Sequence, residues 1–399
     1  MKKKFKFVDV ECLAGNWDLA ACREGFDIQH RFALPGGFGN ECIESNRHLL
    51  GKFPITTSPP ESWDPVQCDF LAGTPPCAGW SNLNTSKFRS TGRGIDSDIH
   101  ACTWALIKYA AHCTGSDEFP GPQFVAFESV QQAFTIGRPL MEQYFEYLNQ
   151  STTLLGQSHG PYSLTHVLMS GATVGSASER RRYFWVAHRV PFGVGVSAPL
   201  GRSWFPSVET KNRVVTVRDA IDDLHETPLG DWPHVAPTTP KLDFIIKCIS
   251  RAGWDPGITL RDACFRLLDQ DKLPHQARKI WFDENMCWRN FAGPKVIRPD
   301  ESAPVVTGGS RSDFLHYDQE RFLTIHEMAR LMDLPDEWVI PGRSINKAVA
   351  WIGKNAPINS LRWLTYWVRQ SLLGKPGPLR GDVIDVTHDW KDKNVTQKV

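Results

Sequence analysis

The sequence predicts an α/β fold: a doubly wound, mostly parallel sheet accompanied by a smaller, irregular second domain. The first observation is that short apolar stretches of strand character alternate with helical stretches along the first half of the chain, which is the pattern of βαβ units. The second observation is a change of composition near Pro191. Beyond it, Pro, Gly and Trp are mixed with residues of both charges, and strands and helices no longer alternate clearly. Together they indicate a regular sheet domain followed by a less regular one.

Local patterns predict the individual elements of the first half. In chain order they are a strand from Phe5 to Glu11, a helix from Asp18 to Gly25, a strand from Val66 to Leu71, an amphipathic helix from Ile99 to Cys113, and strands from Phe124 to Val130 and from Arg180 to Ala187. Sheets of this class bind ligands at the carboxyl ends of their strands. We therefore expect Gly15, Cys77 and Glu128 to lie at that edge.

Three consecutive parts are expected along the chain. Residues 1–190 carry the alternation of strands and helices, and residues 191–320 form the smaller, irregular domain. A helical period returns in residues 321–399, where Thr324 is the predicted N-cap and Glu327, three residues later, its capping-box partner. We expect this last segment to return to the first domain.

Composition sets broad limits on the class of protein. The chain has 399 residues, of which 41% are hydrophobic, and this suffices for a packed core. The start, Met1-Lys2-Lys3-Lys4, lacks an apolar signal region and no apolar run approaches membrane-spanning length, so we expect a soluble, intracellular protein with no membrane partner. Ten cysteines without a Cys-x-x-Cys pair indicate neither a disulfide framework nor a metal site. With a formal charge of +1, any surface for nucleic acid must be a local one.

Cys77 is the leading candidate for a nucleophile. It lies in Gly73-Thr74-Pro75-Pro76-Cys77, directly after the apolar run Phe70-Leu71-Ala72. Proline fixes φ and biases the preceding residue toward extended geometry, so the thiol is held at a defined angle after a strand. A buried packing cysteine is the alternative.

Three strand ends thus carry a thiol, a carboxylate and guanidinium groups, and in this order they resemble the motifs of the DNA cytosine-5 methyltransferases. The matches are Pro75-Pro76-Cys77-Ala78 with Pro-Pro-Cys-Gln, Glu128-Ser129-Val130 with Glu-Asn-Val, Ser178-Glu179-Arg180-Arg181-Arg182 with Gln-x-Arg-x-Arg, the segment from Arg321 to Leu331 with Arg-x-Leu-Thr-x-x-Glu-x-Ala-Arg-Leu, and Pro335-Asp336 with Pro-Asp. Matches in family order over most of the chain make the resemblance specific.

The resemblance implies a methyltransferase-type sheet and a reaction at C5 of cytosine. Cys77 would add to C6 as the nucleophile, Glu128 would protonate N3, and Arg180 or Arg182 would orient the ring oxygen or a phosphate. The target base would be flipped out of double-stranded DNA, and residues 191–320 would read the sequence in the major groove. A monomer in the cytoplasm of a bacterium or of a phage-infected cell is the expected state.

The resemblance also implies S-adenosylmethionine as the cofactor. The family's Asp-Leu-Phe-Ala-Gly is matched by Glu11-Cys12-Leu13-Ala14-Gly15, but Asn16-Trp17-Asp18 replaces its glycine-rich turn. Trp17 would offer an aromatic face to the sulfonium or would belong to the core. The residues expected at the cofactor are Glu11, Ala14, Gly15, Trp17, Glu41, Asp69, Pro76, Lys354 and Asn355.

One departure from the family pattern suggests a different donor. Lys354, in Ile352-Gly353-Lys354-Asn355-Ala356-Pro357, lies over an asparagine of the family's Ile-Gly-Asn-Ala-Val-Pro. An ammonium near a sulfonium is unfavourable by about 1–4 kcal/mol at 4 Å, depending on screening. A carboxylate on the donor would reverse the sign, so carboxy-S-adenosylmethionine and 5-carboxymethylcytosine form an alternative. The other alternative is a lysine that reaches solvent or an acidic partner, with ordinary methyl transfer intact.

Readings from other classes stay open. The altered first and last motifs favour a DNA-binding homologue without catalysis, whereas the retained Cys77, Glu128 and arginines argue against it. Modification of transfer RNA is a further alternative, since the Pro-Pro-Cys loop is shared with a relative that modifies transfer RNA.

Overall fold

The structure is a computed structural model that describes residues 4–10, 14–36, 39–77, 79–80, 100–114, 120–154, 161–195, 214–275, 293–309, 313–342 and 344–387. Its centre is an eight-stranded sheet. The strands of this sheet are β1 (Lys6–Val10), β2 (Asp27–Ala33), β3 (Ile55–Thr57), β4 (Phe70–Gly73), β5 (Phe124–Ser129), β6 (Ser163–Ser170), β7 (Arg181–His188) and β10 (Val383–Val386). A separate pair is formed by β8 (Lys295–Val296) and β9 (Phe314–Leu315).

The sheet confirms the predicted fold class. Its strand order is β10-β6-β7-β5-β4-β1-β2-β3. Strand β7 runs antiparallel to both β5 and β6, and the other pairings are parallel. The carboxyl ends of β1, β2, β4 and β5 therefore share one edge, where ligands of such sheets bind.

Helices cover both faces of the sheet. They are α1 (Asn16–Arg23), α2 (Asn40–Ser45), α3 (Arg47–Leu50), α4 (Ala101–Thr114), α5 (Gln131–Thr135), α6 (Arg138–Leu154), α7 (Val217–Ile221), α8 (Pro240–Ala252), α9 (Leu260–Asp269), α10 (Ile325–Arg330), α11 (Ile345–Lys354) and α12 (Ile358–Leu372). Consecutive residues of a strand point to opposite faces, so Phe7 packs with Trp17 and Trp363 of α1 and α12, while Val8 packs with Leu106 and Tyr144 of α4 and α6. No helix in the described part of the chain is long and apolar enough to span a bilayer.

The predicted elements are present, with one clear difference at β4. The strand predicted from Val66 begins only at Phe70. Its neighbour β1 starts at Lys6, whose backbone amide donates to the Asp69 carboxylate (2.7 Å) and whose carbonyl accepts from the Asp69 amide (2.9 Å). Residues before Asp69 therefore have no β1 partner with which to continue the ladder.

Helix α10 begins as its sequence predicts. The Thr324 side chain accepts from the backbone amide of Glu327 (3.1 Å), and the Glu327 carboxylate accepts from the backbone amide of Thr324 (2.8 Å). This reciprocal pair confirms the capping box.

Part of the 191–320 region has its own apolar cluster. Helices α8 and α9 bury side chains against β8 and β9, including Ile249, Leu267, Val296 and Leu315. Helix α7 packs instead into the core that covers the sheet. The boundaries at 190 and 320 stay predictions.

Asp333 connects its own segment to Ser176 and Ala177 and to the start of α12. It adopts φ +61°, it is fully buried, and its carboxylate accepts from the backbone amide of Asn359 at the start of α12 (3.2 Å). Burial raises the pKa of this carboxyl to about 7, although hydrogen bonds from Ser176, Asn359 and Ala177 and the charge of Arg362 act to lower it.

This pKa predicts a distinctive pH dependence of folding. Between the usual pKa of 3.8 and the raised value of about 7, the folded chain holds a proton that the unfolded chain has released. The free energy of unfolding therefore falls as pH rises through this window, by about 1.4 kcal/mol per pH unit, and levels off above it. Asp333→Asn should remove that slope, which denaturant titrations of both proteins at pH 5, 6, 7 and 8 would measure. Identical slopes in the two proteins would contradict the assignment.

Candidate active site

The Cys77 loop leaves the sheet at the carboxyl end of β4. Gly73 ends the strand, and a Cβ there would lie 2.0 Å from the carbonyl oxygen of Val10 and 2.5 Å from Leu106 Cδ1. Only glycine lets β4 pass this close to β1. Two prolines follow, and the backbone amide of Trp80 donates to the Cys77 carbonyl (3.0 Å), so the half-buried cysteine sits in a closed turn.

The neighbouring strand β5 supplies the carboxylate. Glu128 is 2% exposed and forms an ion pair with Nε of Arg182 on β7. Burial raises the pKa of Glu128, and it outweighs the opposing charges of Arg182 and Arg180 and a hydrogen bond from Thr74. The carboxyl group therefore keeps its proton to a higher pH than an exposed glutamate does.

Two buried arginines complete the group. Arg182 Nη1 also donates to the carbonyl of Arg181 (2.7 Å), and Arg180 Nη1 donates to the carbonyl of Val306. Burial lowers the pKa of Arg180 to about 9, and the charge of Arg182 acts in the same direction. Nε of Arg180 has no hydrogen-bond partner among the described residues, so this N–H remains available to an acceptor.

The structure brings the thiol into the field of all three charged groups. Burial raises the pKa of Cys77, the Glu128 charge raises it further, and Arg182 and Arg180 lower it. The structure thus brings four predicted residues close enough for their charges to interact, although the sequence places them at three separate strand ends. They are Cys77, Glu128, Arg180 and Arg182.

Thr74 is a member of this site that the sequence analysis did not single out. Its hydroxyl accepts from Nε1 of Trp17 (2.9 Å), and its side chain hydrogen-bonds to Glu128. The available signal was its place directly before the two prolines.

Trp17 lies in the core. It is 1% exposed and packs edge to face against Phe70 (5.8 Å between ring centroids) and Phe184 (6.1 Å). Of the two readings, packing and the bond to Thr74 account for this residue, so we leave it out of the proposed cofactor site.

Helix α1 begins directly after Gly15, beyond the carboxyl end of β1. Gly15 adopts φ +87° as the N-cap of α1, with no side-chain cap. This left-handed φ favours glycine, and a Cβ there would lie 2.3 Å from Ile43 Cδ1, which would have to shift. Asn16 Nδ2 donates to the carbonyl of Ala356 (3.0 Å), which ties the start of α1 to the segment that follows α11. An uncapped helix start beside Ala14 and Gly15 fits the carboxylate of an amino acid such as the methionine part of S-adenosylmethionine.

A buried charge cluster fixes the first turn of α1 to the sheet. Arg31 on β2 contacts the carboxylates of Asp9 and Asp18 (3.2 Å to Asp18) and the side chain of Asn40 (3.1 Å). Burial raises the pKa of Asp18 well above its usual value, and the nearby Asp9 acts in the same direction. Asp18 belongs to Asn16-Trp17-Asp18, the segment that replaces the family's glycine-rich turn. This departure from the family pattern is therefore part of the buried core.

Other predicted cofactor residues occupy varied positions. Asn355 is buried, and its side chain donates to the carbonyl of Trp351 (2.6 Å). Glu41 is exposed and pairs with Lys347 of α11 (2.7 Å). Lys354 is exposed at the last position of α11. Pro76 precedes Cys77, and Glu11 lies outside the described residues.

Asp69 requires a correction. It precedes β4, whereas Cys77 follows it, so the two residues lie at opposite ends of that strand. Its carboxylate is engaged by the Lys6 amide at the amino end. Because ligands bind at the carboxyl ends, we remove Asp69 from the cofactor site.

Solved structures share this architecture. A prophage-encoded chain from E. coli, described as a DNA modification methyltransferase, superposes with a TM-score of 0.55 at 15% identity, covering 93% of this chain and all of that one. Dnmt2 methyltransferase from S. pombe gives a TM-score of 0.54 at 14% identity, with coverage of 93% and 100%. These likenesses support the fold.

Sequence comparison supplies the family. The Type II methyltransferase M.NgoPII of Neisseria gonorrhoeae is 22% identical over 295 residues, which are 74% of this chain and 75% of that protein. The model of the C-5 cytosine-specific DNA methylases matches residues 44–366, which include Cys77, Glu128 and both site arginines. The chain therefore belongs to the C-5 cytosine-specific DNA methylase family.

Proposed function

We propose that the protein transfers a methyl group to C5 of a cytosine flipped out of double-stranded DNA, through a covalent bond between Cys77 Sγ and C6. The observation that carries this proposal is the thiol at the end of β4, placed in the field of a buried Glu128–Arg182 ion pair and of Arg180. Family membership implies S-adenosylmethionine, which supplies an electrophilic methyl group.

Covalent attack solves the central chemical difficulty. C5 of cytosine is a poor nucleophile until electrons are pushed into the ring from C6. The Cys77 thiol loses its proton to water, and Sγ forms a bond to C6 while N3 takes a proton from Glu128. The electron pair displaced from the C5–C6 double bond makes C5 nucleophilic. Once C5 has gained the methyl group, the donor is left as a neutral thioether. Water accepts the proton that C5 loses, the S–C6 bond breaks to release the Cys77 thiolate, and N3 returns its proton to the Glu128 carboxylate, which restores the aromatic ring.

The raised pKa of Glu128 suits the role of acid. Burial favours the protonated carboxyl, and this is the form that can donate to N3. Arg182 remains within reach of the carboxylate that forms after proton transfer, so it stabilises the charge that develops there. The unpartnered Nε of Arg180 is suited to donate to the ring oxygen O2.

The burial of this group argues for base flipping. Glu128, Arg180 and Arg182 are 2%, 4% and 6% exposed. A cytosine stacked within a duplex cannot bring N3 and C6 to groups enclosed in this way, so it has to leave the helix. Residues 191–320 are our proposed sequence-reading region, and one chain with one site is sufficient for one flipped base.

The proposal is tested by nucleoside mass spectrometry of duplex DNA incubated with the protein and S-adenosylmethionine. An increment of one methyl group on cytosine is the expected result. DNA that is bound without any increment would favour the DNA-binding homologue. Parallel incubation with transfer RNA separates the two nucleic-acid substrates, and an increment on RNA alone would overturn the assignment to DNA.

The donor is a second question, which Lys354 raises. Its side-chain stem lies beside Gly308, since a Cβ on that glycine would lie 3.1 Å from Lys354 Cγ. Asn16, the first residue of α1, donates to the carbonyl of Ala356, two residues after Lys354. A carboxymethyl donor would place a carboxylate on the transferred group near this ammonium, whereas the transferred group of a methyl donor has only the cationic sulfonium beside it.

If Lys354 selects the carboxylated donor, Lys354→Asn should lower the ratio of carboxymethyl to methyl transfer. Loss of one charged hydrogen bond predicts a change of about tenfold. The two donors would be supplied in competition and both products counted by mass spectrometry. Lys375→Asn, which removes an exposed charge after α12, is the matched control. An unchanged ratio in Lys354→Asn would leave ordinary methyl transfer as the sole proposal.

A further inference from the structure

Residues 303–309 form a connection, here called the strap, that runs between the arginine site and α11. Its first residue is fastened to the turn before Arg180. The Ala303 amide donates to the Ala177 carbonyl (2.5 Å), and the Ala303 carbonyl accepts from the Glu179 amide (2.9 Å). Both backbone bonds lie within three residues of Arg180.

The strap then contacts the Arg180 side chain itself. Val306 is fully buried, and its carbonyl oxygen accepts from Arg180 Nη1. Glu128 forms its ion pair with Arg182 rather than with Arg180. The position of the Arg180 guanidinium thus depends on where the strap holds one carbonyl group.

Helix α11 packs directly against the strap at Gly353. A Cβ on Gly353 would lie 2.1 Å from the carbonyl carbon of Thr307, 2.2 Å from its oxygen and 2.5 Å from the amide nitrogen of Gly308. These are backbone atoms of the residues next to Val306, so a side chain at 353 can be admitted only if the strap moves.

We propose that Gly353 is a positioning residue for the reaction: it lets the strap close on α11 and so holds the Val306 carbonyl, and through it the Arg180 guanidinium, beside Cys77. The inference rests on the proposed function. The segment after Gly353 also contacts the start of α1, because the carbonyl of Ala356, three residues beyond Gly353, accepts from the side chain of Asn16.

The acidity of the Cys77 thiol depends on the position of Arg180, and it can be measured without DNA or a methyl donor. Glu128, Arg182 and Arg180 are the charged groups that act on Cys77, and of these the two arginines favour the thiolate. Moving one arginine away should make the thiol less acidic. A neighbouring opposite charge shifts a pKa by about 1–3 units, so a partial displacement should shift it by about 0.5–1 unit.

The experiment measures alkylation of Cys77 by iodoacetamide between pH 6 and pH 10, followed by mass spectrometry of the Cys77 peptide. We expect Gly353→Ala to raise the pH midpoint by about 0.5–1 unit. Gly308→Ala is the matched control on the same strap, because its Cβ would meet only the flexible Lys354 side chain within 3.4 Å. The control should keep the midpoint of the natural protein.

Arg180→Gln tests the link between the guanidinium and the thiol in a protein that keeps Gly353. This variant alone should raise the midpoint, and Gly353→Ala should add nothing further in the Arg180→Gln background. An unchanged midpoint in Arg180→Gln, or an equal extra shift from Gly353→Ala in both backgrounds, would overturn the inference. Because alkylation needs no methyl transfer, this failure is distinct from failure of the proposed reaction.

Discussion

Replacing Cys77 by alanine is expected to lower the rate of methyl transfer at least about 10⁴-fold. Removing the nucleophile of a covalent mechanism eliminates the only route by which C5 becomes reactive, and losses of this size or greater are typical of such substitutions. The fold should be retained, since Cys77 is half-buried in a loop and the substitution removes one sulfur atom. Single-turnover transfer of a labelled methyl group to duplex DNA measures the effect.

Cys102→Ala provides the matched control for this prediction. Cys102 is also half-buried and lies in the first turn of α4, outside the group formed by Cys77, Glu128, Arg180 and Arg182. The control should retain a rate close to that of the natural protein. A Cys77→Ala protein that works within tenfold of the natural rate would exclude a covalent role for this thiol.

The second large effect is expected from Glu128→Gln. Glutamine keeps the shape of the side chain but cannot donate a carboxyl proton to N3, so we expect kcat to fall by about 10²–10⁴-fold. The pH profile adds a separate signature. Burial raises the pKa of Glu128, the acid form is present below that pKa, and the natural rate should therefore fall as pH rises through it. The variant should lack this falling limb.

Stability has to be measured alongside this variant. The substitution leaves Arg182 buried without its ionic partner, and breaking a buried pair costs about 3–5 kcal/mol. Denaturant unfolding would show how much protein remains folded under assay conditions. Glu179→Gln, an exposed glutamate in the turn before β7, should change neither quantity. A full rate in Glu128→Gln would contradict the acid role.

The parts of the structure that were predictable are those with local signals. The capping box at Thr324 lies within four residues, and the two prolines before Cys77 fix the geometry of a loop directly after its strand. The class of sheet followed from the alternation of short strands and helices. At these places the local preference of the sequence agrees with the tertiary structure, so the local pattern predicts the observed conformation.

The features that the sequence did not predict depend on contacts between residues far apart in the chain. Strand β10 is four residues long and exists because it pairs in parallel with β6, more than 200 residues earlier, so its own sequence carried little signal. Trp17 could have faced a cofactor or the core, and the aromatic rings of Phe70 and Phe184 determined which. The contact between Arg180 and Val306 joins residues 126 positions apart, and no spacing in the sequence indicates it.

The central claim is that Cys77 forms a bond to C6 of cytosine, and duplex DNA carrying 5-fluorocytosine at the target tests it most directly. The adduct normally resolves when C5 loses its proton, and fluorine cannot leave in that way, so the bond between Sγ and C6 should persist. Intact mass spectrometry should show protein joined to oligonucleotide plus one transferred methyl group, with the attachment mapped to Cys77 and absent from Cys77→Ala. Methylation of ordinary DNA without any trapped adduct, or an adduct on a different residue, would contradict the mechanism.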